Sequence, residues 1–272
     1  MPAVRLPVVP VLAAGLACSL LSSPPVEAFS PATRTELARR AITLMPPSLA
    51  RQLGKHQQTL LEGALEGMER CNGTGTHGAA PGEADARLMA AVDETVAMID
   101  RRQPMAEVAR SLGRVAHAAA DLSFALNSGP DDPREPTYYR DFAMYLEKVL
   151  PKVRLTFAGW PDDDLVRRDL PGFARRTAAA ARRDAEAIAR SYYPEGRSRS
   201  AQDFDERSVA FASASLEASL ALTTTARAWL YAWWRAHGDI AGTPHLDPGL
   251  VHNPFAPPSG GTPSPGRQES GQ

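Results

Sequence analysis

The stretch PMAEVARSLGRVAHAAADLSFALN, residues 104–127, decides the fold of this chain. Its larger apolar residues recur with alternating spacings of four and three, which predicts one continuous apolar stripe along an α-helix. The stripe consists of Val108, Leu112, Val115, Ala119, Leu122 and Leu126. The opposite side carries Gly113, Ala120 and Phe124, so the helix is apolar nearly all round and is predicted to be buried.

His117 and Asp121 are the only ionisable residues between Val115 and Leu126. Their spacing of four places both side chains on one face of the helix, where they can touch each other or a shared cation. Burial of a carboxylate is costly unless its charge is compensated. One interpretation is a closed His–Asp hydrogen bond that satisfies both groups. The other is a pair of ligands for a zinc ion.

The segments on either side of this helix also have helical patterns, separated by Pro and Gly. No run alternates apolar and polar residues with the β-branched enrichment of a strand. The sequence therefore predicts an all-α fold, a compact single domain of about seven helices around a buried central one. The predicted helices are 31–44, 57–70, 83–101, 104–127, 137–150, 165–192 and 201–237.

The last of these helices contains a second segment of core character. Glu217 is the only charged residue between 208 and 226, which gives the segment the length of a membrane span. Its many Ser and Thr residues lower its hydrophobicity, so a buried core helix is favoured. The tryptophans that follow, Trp229, Trp233 and Trp234, are interpreted as packing residues. Association with a membrane surface through them is a weaker alternative.

Composition excludes several classes of protein. The chain has 272 residues, of which 43% are hydrophobic and 22% charged, as expected for a folded domain. Because 30 Lys and Arg face 31 Asp and Glu, a broad basic surface for nucleic acid is excluded. Two cysteines cannot staple a disulfide scaffold.

Residues 1–28 have the pattern of a secretory signal peptide. Arg5 precedes an uncharged apolar run, 6–21, and the segment ends in Val26-Glu27-Ala28. Cleavage after Ala28 predicts a secreted or periplasmic protein that begins at Phe29. Lipoprotein processing at Cys18 is the less favoured alternative, because the preceding residues match a lipobox poorly.

The predicted domain covers residues 29–240. Residues 241–272 are rich in Pro, Gly and Ser and are predicted to form a disordered tail. After cleavage Cys71 would be the only cysteine of the chain.

Residues 111–122 resemble the central helix of the zinc-dependent phospholipase C and S1/P1 nuclease superfamily, in which a Leu-Gly-Arg-x-x-His-x-x-x-Asp helix supplies metal ligands. Met45-Pro46 and the segment 61–64 are similar to other pieces of that family in the same order. The resemblance implies an all-helical fold with three zinc ions in a cleft, which activate water and hold a phosphoester for hydrolysis. A phospholipid or phosphodiester ligand is implied with it.

The resemblance assigns metal ligation to Phe29, through its amino group and carbonyl oxygen, and to His117 and Asp121. It also makes Asp121 the candidate catalytic base. Other ligand positions are replaced: Arg34 and Asn127 stand where the family has histidines, and Tyr139 and Ala143 where it has a His-x-x-x-Glu pair. His77 is a candidate for the remaining loop histidine, and the early aspartate falls near Met68 or Glu69.

These replacements argue against a full metal site, since Arg34 brings a fixed positive charge to a ligand position. We therefore expect at most one zinc ion, and favour a metal-free arrangement in which His117, Asp121 and Arg34 satisfy one another. The favoured hypothesis is an exported protein with a degenerate metal site and a non-catalytic binding or structural role. The alternative is a metal-dependent phosphoester hydrolase with reduced zinc content.

Overall fold

A serine and a proline fix the start of the first helix. Ser30 Oγ accepts a hydrogen bond from the Thr33 backbone N–H at 3.2 Å, and Pro31 occupies the first helical position, where a missing N–H costs nothing. The computed structural model describes residues 28–66, 83–127, 132–247 and 253–255. The predicted signal peptide, residues 1–28, lies outside this range except for Ala28.

Within the described residues the chain forms nine α-helices and no strand, which confirms the predicted all-α class. The helices are α1 (Pro31–Ile42), α2 (Pro47–Lys55), α3 (Gln57–Leu65), α4 (Glu83–Asp100), α5 (Met105–Ser123), α6 (Glu135–Val149), α7 (Asp163–Val166), α8 (Leu170–Tyr192) and α9 (Val209–Arg235).

The expected number of about seven helices is too low, because two short helices were missed. Helix α2 begins at a Pro-Pro pair, because prolines are tolerated in a first helical turn, and Leu49 and Leu53 bury one face of it. Helix α7 is separated from α8 at Arg168, whose φ of 59° is left-handed. Asp169 then caps α8 by accepting a hydrogen bond from Gly172 N at 2.8 Å.

The ends of the last helix and of the central helix also differ from expectation. Helix α9 begins at Val209 rather than near residue 201, because Ser208 caps it. Helix α5 stops at Ser123, since Phe124 has extended backbone angles, and a 3-10 turn follows at Ala125–Asn127. The Phe124 ring then packs 5.1 Å from that of Phe29, so aromatic packing outweighs continuation of the helix.

Helices α5 and α9 form the centre of the fold, as predicted. Helix α5 contacts α1, α3, α4, α8 and α9, and α9 contacts α1, α4, α6 and α8 in addition. Trp229 Nε1 in α9 donates a hydrogen bond to the Leu112 carbonyl oxygen in α5 at 2.7 Å, and both residues are fully buried. The buried apolar residues of the described ranges, except Ala64 and Ala181, form one continuous cluster.

Two glycines bring α3 against α5. A Cβ atom on Gly113 would lie 2.1 Å from the Leu60 carbonyl oxygen, and one on Gly63 would lie 2.1 Å from that of Arg110. No other residue fits such a contact without moving the backbone. This close approach carries the end of α3 to the side of α5 that bears His117.

The first part of the segment predicted to form a disordered tail packs against the helices. Phe255 is fully buried and packs 5.8 Å from the Tyr231 ring, and its carbonyl oxygen accepts a hydrogen bond from Asp162 N at 2.9 Å. Thr243 is also buried. The prediction of disorder rests on the proline, glycine and serine content of the segment, and it does not take account of the apolar side chain of Phe255. Residues 248–252 and 256–272 lie outside the described residues.

The tryptophans at the end of α9 pack within the protein, as their interpretation as packing residues predicted. Trp229 is fully buried, Trp233 Nε1 donates to the Asp239 carbonyl oxygen at 2.9 Å, and the Arg168 guanidinium lies 5.3 Å from the Trp234 ring. Among the residues that the structure describes, none of the helices combines the length and apolar character that a membrane crossing requires.

Candidate functional site

The last two turns of α5 bring His117 and Asp121 into contact, as their spacing predicts. His117 Nε2 lies 3.3 Å from Asp121 Oδ2. The other ring nitrogen, Nδ1, lies 3.1 Å from the Ala64 carbonyl oxygen at the end of α3. Both ring nitrogens therefore face oxygen acceptors, and the ring can donate to both only as an imidazolium.

Arg34, in the first turn of α1, completes the expected three-residue contact. Its side chain is only 2% exposed, and one terminal nitrogen lies 2.6 Å from Asp121 Oδ1. The Nε atom donates to the Phe29 carbonyl oxygen at 3.0 Å, and the second terminal nitrogen donates to the His117 carbonyl oxygen at 3.2 Å. The guanidinium thus lies at the point where acceptors from Phe29, His117 and Asp121 converge.

This contact determines the charge state of Asp121. Burial disfavours the ionised carboxylate, but the Arg34 guanidinium and His117 outweigh that effect and hold the pKa of Asp121 well below its usual range. A carboxylate with so low a pKa is a weak general base at neutral pH. The environment of Asp121 is therefore suited to a permanent negative charge rather than to proton transfer.

A second arginine, Arg87 of α4, reaches the same carboxylate and was missed by the sequence analysis. Its terminal nitrogen lies 3.5 Å from Asp121 Oδ2, and its side chain is 40% exposed. Its Nε atom is buried and has no hydrogen-bond partner. The sequence held one indication of this contact. Arg87 lies on the same helix as Ala84 and Leu88, which are both buried, so its side chain starts close to the core.

Two further positions that the resemblance assigns to metal ligands lie beside the cluster. Asn127 Nδ2 donates to the Asp121 carbonyl oxygen at 2.9 Å, and the Tyr139 hydroxyl donates to Asn127 Oδ1 at 2.5 Å. The ring of Tyr139 packs 5.3 Å from that of Phe124. Ala143 is buried and offers no side-chain ligand. The residues with polar side chains at these assigned positions, Asn127 and Tyr139, are therefore connected to Asp121 by hydrogen bonds.

Within the described ranges, no three His, Cys, Asp or Glu side chains are grouped so that they could hold a metal ion. The other residues considered as ligands, Met68, Glu69 and His77, lie outside the described residues, as does Cys71. The donor set of the cluster does not fit zinc. Zinc takes about four donors at 2.0–2.3 Å, whereas the Phe29 carbonyl and Asp121 Oδ1 already accept hydrogen bonds from the fixed cation of Arg34.

Glu217, on α9, is a second buried acidic residue with a different environment. Its Oε1 accepts a hydrogen bond from Ala125 N at 3.3 Å, and its Oε2 is buried without a partner. Burial raises the pKa of Glu217 well above its usual value, and the negative charge of Asp184 raises it further.

A cleft of about 430 Å³ lies between α6 and α8. Arg34, His117 and Asp121 do not line it. Its polar side chains include Tyr138, whose hydroxyl donates to Asp132 Oδ2 at 3.2 Å, and Arg134, which bonds both oxygens of the same carboxylate. These groups satisfy one another, and in contrast to the Asp121 cluster no buried donor without a partner occurs among the described residues that line the cleft.

Comparison of the chain with profiles of protein families, with curated proteins and with solved structures found no match.

Proposed function

We propose that this chain is an exported all-α protein related to zinc-dependent phospholipase C, in which an arginine has taken the place of the metal, and that it binds a ligand without hydrolysing it. The proposal is supported by how the positions named by the resemblance are grouped. Phe29 and Arg34 are distant in the chain from His117 and Asp121, yet all four residues meet at one point of the fold.

The observation that carries the proposal is the position of the Arg34 guanidinium. It donates to the Phe29 carbonyl, the His117 carbonyl and the Asp121 carboxylate. A dication placed among these acceptors would lie against a charge that arginine cannot lose at any ordinary pH. The same guanidinium neutralises Asp121, so the fold has no need of a metal there.

Elemental analysis and a zinc titration of the purified protein test the proposal. We expect no stoichiometric zinc, and the same melting temperature with zinc as with a chelator. Zinc at one ion per chain that is lost in the His117→Ala variant would contradict the proposal and support the hydrolase alternative. His56→Ala, at the junction of α2 and α3, is the matched control for loss of a histidine.

The test above expects an absence of zinc binding, so a second variant is chosen for which the proposal expects zinc binding to increase. Arg34→His removes the fixed cation and places an imidazole next to Asp121 and His117. We expect this variant to bind zinc more tightly than the wild type, while Arg51→His, at an exposed position of α2, does not. Equal zinc affinity of wild type and Arg34→His would overturn the argument that Arg34 excludes the metal.

A further inference from the structure

The segment 153–159, between α6 and α7, has the exposure pattern of a β-strand. Its first residue, Val153, has extended backbone angles. Val153, Leu155 and Phe157 are half-buried and pack against the core, whereas the residues between them are exposed. Such alternation is typical of a strand that covers a core with one face. Among the described residues, no second strand pairs with this one.

One edge of the segment is held by side chains of α9. The Thr156 N–H donates to Ser219 Oγ at 3.1 Å, and the Ala158 N–H donates to Thr223 Oγ1 at 3.2 Å. Four residues of α-helix advance about 6.0 Å and two residues of strand about 6.6 Å, so the two rows of groups stay in register. Arg227, four residues further along α9, donates to the Ala158 carbonyl oxygen at 3.4 Å. The backbone groups of the even-numbered residues therefore point toward α9.

The opposite edge of the segment is unpaired. Successive residues of a strand direct their N–H and C=O groups to opposite edges, so those of Leu155 and Phe157 point away from α9. No hydrogen bond joins these backbone groups to another described residue. An edge with unpaired N–H and C=O groups is a template for a further strand.

We propose that this edge is the contact between two copies of the chain, which pair antiparallel about a two-fold axis at Thr156. In that register Leu155 of each copy lies opposite Phe157 of the other, and the two residues exchange both backbone hydrogen bonds. The two Thr156 side chains face each other across the axis, which is a favourable cross-strand pair. The unpaired edge is therefore complementary to itself.

The charges at the two ends of the segment favour the antiparallel direction. Arg154 lies at its start and Asp163 shortly after its end, and both are exposed without an ion-pair partner among the described residues. Antiparallel pairing brings the start of each copy to the end of the other, so that opposite charges approach twice. Leu216, three residues before Ser219 on α9, is 58% exposed and adds apolar surface next to the segment.

Sedimentation velocity of the full chain at increasing concentration tests this contact. Two paired strand edges form a small interface, so we expect a dimer that appears as the concentration rises. Thr156→Lys and Thr156→Glu each place like charges on the axis, and each should weaken dimerisation by more than about tenfold. Thr156 is exposed, so neither change removes a core contact, and melting temperatures establish that both variants are folded. Ala86→Lys, at an exposed position of α4, should dimerise as the wild type does.

Mixing the two variants distinguishes this contact from any other surface. An equimolar mixture of Thr156→Lys and Thr156→Glu places opposite charges on the axis, and we expect it to restore the dimer. A wild type that is monomeric at every concentration would overturn the inference. A dimer that Thr156→Lys leaves unchanged, or a mixture that stays monomeric, would overturn it as well. None of these outcomes bears on the proposed function, because the contact involves no residue of the Asp121 cluster.

Discussion

Asp121 and Glu217 are both buried acidic residues on the central helices, but their surroundings are opposite. Asp121 has two guanidinium groups and an imidazole around it. Glu217 has one backbone N–H, an oxygen without a partner, and Asp184 as a charged neighbour. Burial alone raises the pKa of either carboxyl, so the difference between them is due to their partners. The surroundings therefore favour the ionised carboxylate at one end of the turn Ala125–Asn127 and the protonated carboxyl at the other.

The largest expected effect is the loss of the buried ion pair. Asp121→Asn leaves the Arg34 guanidinium buried without a counter-charge, and we expect a loss of about 3–5 kcal/mol in the free energy of unfolding. Urea denaturation at neutral pH measures it. The exposed pair of Arg40 and Glu36 on α1 is the control, since Glu36→Gln should cost no more than about 1 kcal/mol. Equal losses in the two variants would show that burial of the pair is irrelevant.

The second effect is a difference in pH dependence. Because the pKa of Glu217 is raised in the folded state, its contribution to stability is full below its unfolded value of 4.5 and is lost as pH rises toward the folded pKa. Glu217→Gln copies the protonated form, so its stability relative to wild type should increase with pH, by at most about 1.4 kcal/mol per pH unit. A relative stability that is flat between pH 4 and 8 would contradict the assignment.

Asp121 should show the opposite pH response. Its pKa is lowered in the folded state, so its contribution is present above its unfolded value of 3.8 and is lost as the solution is made more acidic. Denaturation of wild type and Asp121→Asn from pH 7 down to pH 3 measures it. The difference between the two proteins should shrink as pH falls, and a constant difference would break the comparison with Glu217.

The smallest effect concerns the turn that joins the two sites. Asn127→Ala removes the hydrogen bonds to the Asp121 carbonyl and from the Tyr139 hydroxyl. We expect a loss of about 1–3 kcal/mol, since each of the two hydrogen bonds contributes about 0.5–1.5 kcal/mol. A double-mutant cycle with Glu217→Gln checks whether the turn couples the two carboxyls. Strict additivity would indicate that the two sites are independent.

Much of this arrangement could be predicted from the residues, and the misses have physical causes. The spacing of His117 and Asp121 gave their contact, because helix geometry is local. Glu217 was noticed as an isolated charge, but its missing partners depend on how α9 packs against the turn after α5. Arg87 was missed because its approach to Asp121 follows from the packing of α4 on α5, which no pattern within one helix contains.

A crystal structure of the protein grown with zinc tests the central claim most directly, with anomalous diffraction at the zinc edge locating any metal. We predict that the Arg34 guanidinium contacts Asp121 and the Phe29 carbonyl, with no anomalous peak among these atoms. A peak between His117 Nε2 and the Asp121 carboxylate, with Arg34 turned away, would contradict the claim that arginine has replaced the metal.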